Sequence, residues 1–327
     1  MFNTISVAGT HGKTSTSSMI RHILEDSIGC SYFVGAGDGR INPNSDIFVI
    51  ESDEFNKHLL TYYPTNSIIT NIEKEHMECY KDLQDIIDTF STFANHTKNR
   101  LIACGDNPNC HSLNTKTPIT YYGFNEDNDA EDGETFDLYF KDKLFDTFTI
   151  PVYGKHMVLN ATAAIIMCNI YGISKEQIKN SFKTFKNAKR RFAEEKVGNA
   201  IIIDDYAHHP TEISATLDAV KRKYKDRRVV AVFKPNTYSR TKDFTNEFVT
   251  ALSKADKVYL TEIDCNRERQ SDYPGVTSNL IVEKIKGAEI ISEDTIDKLK
   301  NEKDSVVCFM SCAYVNHLID AFKEIIK

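Results

Sequence analysis

Gly9-Thr10-His11-Gly12-Lys13-Thr14-Ser15 joins an apolar run, Ile5, Val7 and Ala8, to a stretch carrying Met19, Ile20, Ile23 and Leu24 at helical spacing. That order predicts a strand, a tight loop and a helix. Backbone N–H groups at such a helix start have no partner within the helix, and the helix dipole places partial positive charge there. Glycines let the loop wrap closely around phosphate oxygens, the Lys13 ammonium can reach them, and the Thr14 hydroxyl is placed to touch Mg²⁺. The full Walker spacing is not met, because Val7 stands where its first Gly belongs. The loop therefore predicts a nucleoside triphosphate as ligand.

Working outward, the pattern of apolar run, polar cluster and helical stretch recurs. Ile47 to Ile50 leads to Glu51-Ser52-Asp53-Glu54, Ser67 to Thr70 to Asn71-Ile72-Glu73 and then His76, and Ala200 to Ile203 to Asp204-Asp205. Val229 to Phe233 leads to Lys234-Pro235, and Val258 to Leu260 to Glu262. Runs apolar at consecutive positions suit strands covered on both faces, so the fold class is α/β with mostly parallel sheets. In such sheets ligands gather beyond the carboxyl ends of the strands, which makes the polar clusters candidate site residues.

The rhythm breaks near Asn125 to Pro151. An acidic Gly-containing loop is expected over Asn125 to Thr135, then an appended β-hairpin with strands from Phe136 and Leu144 turning at Lys141-Asp142-Lys143. A helix is expected to start near Asn160, and another to span Lys175 to Phe185. The basic, aperiodic Lys186 to Phe192 marks the junction between a domain over 1–189 and a smaller α/β domain over 190–327. Gly35-Ala36-Gly37-Asp38-Gly39 lacks dinucleotide spacing and reads as a turn.

Composition narrows the function classes. With 327 residues, 41% hydrophobic and 27% charged, the chain suits two soluble globular domains. A net charge of -7 argues against a broad nucleic-acid surface, and no apolar run approaches a membrane span. Eight cysteines without a Cys-x-x-Cys pair read as reduced thiols, and the expected compartment is the cytoplasm.

Several residues could carry chemistry. Glu51, at a strand end, could hold Mg²⁺ brought by the nucleotide, or Ser52, Asp53 and Glu54 could simply start a helix. His76 reads as a second metal ligand or a packing residue. Gly154-Lys155-His156 with Asn160 fits capping and ligand contact equally. Asp204-Asp205-Tyr206-Ala207-His208-His209-Pro210-Thr211-Glu212 crowds carboxylates and imidazoles at one strand end, with Thr211 expected to open the next helix. Arg190, Arg191 and Arg240 supply cations for phosphates or carboxylates.

Taken in order, the Gly9–Ser15 loop, Thr70-Asn71-Ile72 with His76, Gly154-x-His156-x-x-x-Asn160-Ala161, Arg190-Arg191-Phe192 and Asp204 to Pro210 resemble the Mur ligases, over nearly the whole chain. The Asp204 to Pro210 run is similar to the branch that adds L-alanine to UDP-N-acetylmuramate. The resemblance implies a central ATP-binding domain and a Rossmann-like C-terminal domain. It implies an ATP-dependent ligase of peptidoglycan precursor synthesis working through an acyl phosphate. It assigns ATP contacts to Gly9, Thr10, His11, Gly12, Lys13, Thr14 and Ser15, to Asn160 at the adenine, Asp205 at the ribose and Arg191 at the phosphates. Thr14, Glu51 and His76 would organise Mg²⁺, and His208 and Arg240 would lie near the acyl phosphate.

The sequence departs from the family in three places. No UDP-binding domain precedes the loop, so a separate one is an expected partner. The family's His and Arg before Tyr238-Ser239-Arg240-Thr241 are Asn236 and Thr237, and its late Gly-rich turn is Met310 to Tyr314. Two other readings stand beside the alanine-adding ligase. One is a family ligase with a different acyl substrate, as in folylpolyglutamate synthases, although Asp205 to Pro210 argues against folate. The other is a non-catalytic remnant that acts as a partner protein.

Overall fold

The structure, a computed structural model, describes residues 2–35, 37–124, 129–130, 133–265 and 267–327. The expected acidic loop at Asn125 to Thr135 and the Gly35 to Gly39 turn fall partly outside these residues. The chain forms two compact units, Met1–Ala188 and Lys189–Lys327.

The first unit begins with β1 (Asn3–Ala8), α1 (Lys13–Glu25), β2 (Ser31–Val34), β3 (Asp38–Arg40), β4 (Ile47–Glu51) and β5 (Asn66–Ile69). It continues with α2 (Leu83–His96), β6 (Arg100–Cys104), β7 (Ile119–Tyr122), β8 (Asp129–Ala130), β9 (Gly133–Phe140), β10 (Lys143–Ile150), α3 (Lys155–Ile170) and α4 (Lys175–Thr184). Seven strands form one sheet in the order β3-β2-β4-β1-β5-β6-β7, parallel except for β3. Its apolar strands divide by the two-residue period of extended backbone. Ile5 and Val7 pack toward Met19, Ile20 and Ile23 of α1 and Ala161, Ala164 and Ile165 of α3. Ala8 and Ile69 pack toward Phe90 and Phe93 of α2. With both faces covered, the site-bearing ends of β1, β4 and β5 are held by a closed core.

The hairpin expected from the broken rhythm is the antiparallel pair β9 and β10, turning at Lys141 and Asp142, both at positive φ. One boundary differs. Helix α3 starts at Lys155, not near Asn160, because Gly154 at φ 108 caps it and its N–H donates to the buried Glu134 (2.6 Å). Asn160 is thus a buried second-turn residue, and capping no longer accounts for it.

The second unit contains β11 (Ala193–Val197), β12 (Ala200–Asp205), α5 (Pro210–Lys223), β13 (Val229–Phe233), α6 (Tyr238–Asp243) and α7 (Thr245–Leu252). Then follow β14 (Lys257–Leu260), α8 (Asn279–Val282), β15 (Glu289–Ile290), β16 (Val306–Met310) and α9 (Asn316–Ile326). The sheet order is β11-β12-β16-β13-β14-β15, parallel except for β11. Ile203, Phe233 and Met310 face the layer of α5 and α7, while Ile202, Val232 and Phe309 face α9. Phe309 is fully buried against Phe322, with ring centroids 5.9 Å apart. Phe309→Ala should cost about 3–5 kcal/mol through lost burial and the cavity it leaves, measured by urea denaturation. No helix among the described residues is long and apolar enough to cross a membrane.

Candidate nucleotide-binding site

The loop after β1 carries the backbone that its glycines allow. Gly9 and Gly12 take φ of 139° and 82°, in the region that L side chains rarely occupy. A Cβ on Gly9 would lie 2.0 Å from Thr70 Oγ1, and one on Gly12 would lie 2.6 Å from Asn160 Oδ1. The loop is pressed on both sides, and Asn160 sits directly against it. Helix α1 has no side-chain cap and no acidic residue in its first turn. Its leading amides therefore suit an anion, and the dipole adds to the attraction.

The segment after β5 braces the loop. His11 N donates to Asn71 Oδ1 (2.8 Å), Asn71 Nδ2 donates to His11 O (3.0 Å), and Thr70 Oγ1 donates to His11 O (2.5 Å). Thr10 N donates to Asn71 O (3.0 Å), and Thr10 Oγ1 accepts from Glu73 N (2.9 Å). Bonds from Thr70, Asn71 and Glu73 fix the loop before any ligand arrives, which lowers the ordering cost of binding.

Side chains from β4 complete the constellation. Thr14 Oγ1 donates to Glu51 Oε1 (3.1 Å), and Glu51 Oε2 accepts from Gly35 N (2.8 Å). A Cβ on Gly35 would lie 2.8 Å from Thr14 Cγ2, so this glycine leaves room for the pair. Lys13 Nζ donates to Glu54 Oε2 (2.6 Å), Gly9 O (2.7 Å) and Thr10 O (3.2 Å). Burial opposes the Lys13 charge, yet the Glu54 carboxylate outweighs it and holds the ammonium above its ordinary range. Glu54 is 3% exposed. Burial would raise its pKa, but Lys13 and His76 bring it below the usual carboxylate range.

The three residues expected around Mg²⁺ divide into two groups. Thr14 and Glu51 meet, whereas His76 Nε2 lies 3.6 Å from Glu54 Oε1 and its Nδ1 lies 3.5 Å from Glu78. Burial opposes charge on His76, but Glu54 and Glu78 push its pKa up to about 9. Its ring nitrogens thus face Glu54 and Glu78 in this arrangement. Glu51 and Thr14 offer hard oxygen donors, the set Mg²⁺ prefers alongside phosphates.

Glu54 and Gly35 were missed from sequence. In sequence Glu54 reads as part of a helix start, but an irregular 3₁₀ turn over Phe55–Thr61 follows, with positive φ at Asn56 and Lys57 and no side-chain cap. Two carboxylates three residues apart beyond a strand were the signal available.

In the second unit the run after β12 is tightly bonded. Asp205 is 7% exposed; its Oδ2 accepts from Phe192 N (2.7 Å), and its Oδ1 accepts from Ala207 N (2.8 Å) and Thr216 Oγ1 (3.2 Å). Here it fixes its own loop. His209, not Thr211, caps α5, with Pro210 as the first helical residue. His208 and Arg191 are brought together through Glu212, whose Oε2 lies 3.0 Å from His208 Nδ1 and whose Oε1 lies 3.8 Å from Arg191 Nη1. The Arg191 guanidinium also lies 4.8 Å from the Tyr206 ring centroid. Arg190 serves the sheet end, donating to Asp204 (3.1 Å) and to Ser311 O (2.7 Å). Arg240 Nη1 donates to Asn236 Oδ1 (2.7 Å), so Asn236 orients this cation. Ser311, fully buried, donates to Lys234 O (2.8 Å) and ties β16 to the end of β13.

The family model for the Mur ligase middle domain matches residues 7–168, and that for the Mur ligase glutamate ligase domain matches residues 190–312. A UDP-N-acetylmuramate–L-alanine ligase of Lactococcus lactis subsp. cremoris is 40% identical over 335 residues, covering 100% of this chain and 75% of that enzyme. The crystal structure of the UDP-N-acetylmuramate-alanine ligase from Thermotoga maritima superposes with a TM-score of 0.78 at 22% identity, covering 99% of this chain and 75% of that one. The MurF ligase of Thermotoga maritima, solved with ADP, gives a TM-score of 0.75 at 19% identity, covering 99% and 80%. At these identities the two structures establish the fold alone. Together with the two family models, a relative 40% identical along the whole length establishes that this chain belongs to the Mur ligase family.

Proposed function

We propose that the protein is an ATP-dependent ligase of peptidoglycan precursor synthesis that joins L-alanine to the carboxylate of UDP-N-acetylmuramate. One observation carries the reading. The braced loop, Lys13 and the Thr14–Glu51 pair assemble at the ends of β1 and β4 in a chain 40% identical throughout to an enzyme of that name. The loop amides and Lys13 hold the β- and γ-phosphates of ATP. Thr14 and Glu51 hold Mg²⁺, which when bound neutralises phosphate charge.

The chemistry runs in two displacements. A carboxylate oxygen of the sugar acid attacks the γ-phosphorus, forming an acyl phosphate as ADP leaves. The amine of alanine then attacks the acyl carbon, and inorganic phosphate departs as the amide forms and the amine loses a proton. Repulsion between the carboxylate and the γ-phosphate is the main barrier to the first step, and fixed cations offset it without reorganising. His208 and Arg240 act on the acyl phosphate and substrate carboxylate, and Arg191 and Asp205 act on the nucleotide, with Asn160 beside the loop at the adenine. His76 would join Thr14 and Glu51 in organising Mg²⁺, as the family resemblance implies.

The test incubates the chain with Mg²⁺-ATP, L-alanine and UDP-N-acetylmuramate and follows ADP and the alanyl product by mass spectrometry. ADP and product should form together, and omission of either acceptor should stop both. ADP release indifferent to alanine and the sugar acid would contradict the assignment.

A further inference from the structure

Arg240 stands on a helix that cannot hold its own start. Helix α6 has only six residues, Tyr238–Asp243, so bonds within it do little to fix its shape. Its N-cap residue, Thr237, is of a type that commonly meets the first amides of a helix. Here it makes no cap bond, and its Oγ1 is buried with no hydrogen-bond partner among the described residues. The leading amides of α6 have to be met by another part of the chain.

Glu268, 29 residues beyond Ser239, meets them. Its Oε2 accepts from Tyr238 N (2.6 Å) and Ser239 N (3.1 Å). Its Oε1 accepts from Ser239 Oγ and, at 3.5 Å, from Tyr273 Oη. Bonds to an ionised carboxylate are about twice as strong as those between neutral groups. The segment between β14 and α8 is fastened to the same connection at two further points. Asp264 N donates to Pro235 O (3.1 Å), and Lys234 Nζ pairs with Asp264 Oδ2 (2.7 Å). The Tyr238 and Tyr273 rings stack alongside, with centroids 6.0 Å apart. Arg240 follows directly on the two amides that Glu268 holds, and its Nη1 donates to Asn236 Oδ1 (2.7 Å). Fixing the first turn fixes where the arginine stem leaves the backbone, and Asn236 then sets its direction.

We propose that Glu268 is a positioning residue for the ligase reaction. It holds the first turn of α6 so that Arg240 presents its guanidinium at one place to the substrate carboxylate and the acyl phosphate. The proposal rests on the reading of Arg240 as a group that acts there. It adds that the place of this cation is set by the segment after β14 and not by its own helix. A displacement of about 1 Å in a site can cost about 10²-fold in rate, so Glu268 matters although it touches no substrate.

Two measurements on the whole chain test it. The Arg240 Nε–Hε resonance, assigned by its loss in Arg240→Lys, reports the guanidinium directly and needs no turnover. Its heteronuclear NOE should fall by at least about half in Glu268→Ala. In Glu268→Gln, whose amide oxygen still accepts from the two N–H groups, it should stay close to wild type. An unchanged NOE in Glu268→Ala would overturn the proposal.

The second measurement is kcat/KM for UDP-N-acetylmuramate in a double-mutant cycle. Glu268→Ala should lower it at least about tenfold in the wild-type background and less than about twofold in Arg240→Lys, because the effect runs through Arg240. Equal losses in the two backgrounds would mark a merely structural role and overturn the proposal. Should Glu268→Ala fail to fold, Glu268→Asp, one methylene shorter, replaces it in both measurements with losses expected in the same direction. Wild-type kinetics in Arg240→Lys would sink the underlying reading and the proposal with it. A kinetic loss there beside an unchanged NOE in Glu268→Ala would sink the proposal alone.

Discussion

Lys13→Ala is expected to remove the stabilisation that Mg²⁺-ATP confers and to lower ATP-dependent turnover by about 10²–10³-fold. The ammonium is a partly buried cation at the mouth of the loop, and removal of one fixed donor from a site that stabilises developing charge has that general size. Binding to the folded state at a ligand concentration of about 100 times Kd contributes about 2.7 kcal/mol. For a unit of this size that is about 5–10 °C in Tm. The variant should show little of this shift.

Its melting temperature without ligand should also fall, because Glu54 loses the ammonium that stands 2.6 Å from its Oε2. The comparison that matters is therefore the ligand-induced shift within each protein. Equal shifts in wild type and variant would remove the nucleotide assignment.

Gly9→Ala should have the second largest effect. The new Cβ would stand 2.0 Å from Thr70 Oγ1 and 3.0 Å from Thr70 N, and the residue would have to hold φ near 139°. Thr70 Oγ1 cannot step aside freely, because it donates to His11 O (2.5 Å). Overpacking and an unfavourable φ each cost about 1–3 kcal/mol. Both fall on the segment whose amides would face the phosphates. The variant should fold with a lowered Tm and bind nucleotide at least about tenfold more weakly by calorimetry. Wild-type affinity would mean that the loop tolerates displacement and that its bracing by Thr70 and Asn71 is irrelevant to the ligand.

Much of the fold was legible in the order of residues, because burial and backbone period are local signals. Consecutive apolar residues at Ile47–Ile50, Val229–Phe233 and Val258–Leu260 require cover on both faces, and each is a parallel strand between helical layers. The alternation from Phe136 onward marked the hairpin. The loop from Gly9 to Ser15 could be read because glycine, lysine and threonine at fixed offsets encode a backbone path and a charge together.

What escaped the sequence depended on distance in space. Glu54 could not be told from a helix-start acid until Lys13, 41 residues away, came within 2.6 Å of it. Gly35 read as a plain turn until β2 and β4 paired and its N–H met Glu51. The start of α3 was misplaced by more than a turn because its cap is anchored by Glu134, which a linear reading does not bring near. His76 shows the same limit. Its type suggested a metal ligand, and only the fold shows that it lies beside Glu54 and Glu78.

The chain order alone therefore determined which segments become strands and helices and where an anion-binding loop lies, since those follow from side-chain period and local backbone freedom. The tertiary structure alone decided which charges face one another. Coulomb interactions and desolvation depend on separation and burial, and only folding fixes those for Lys13, Glu54 and His76.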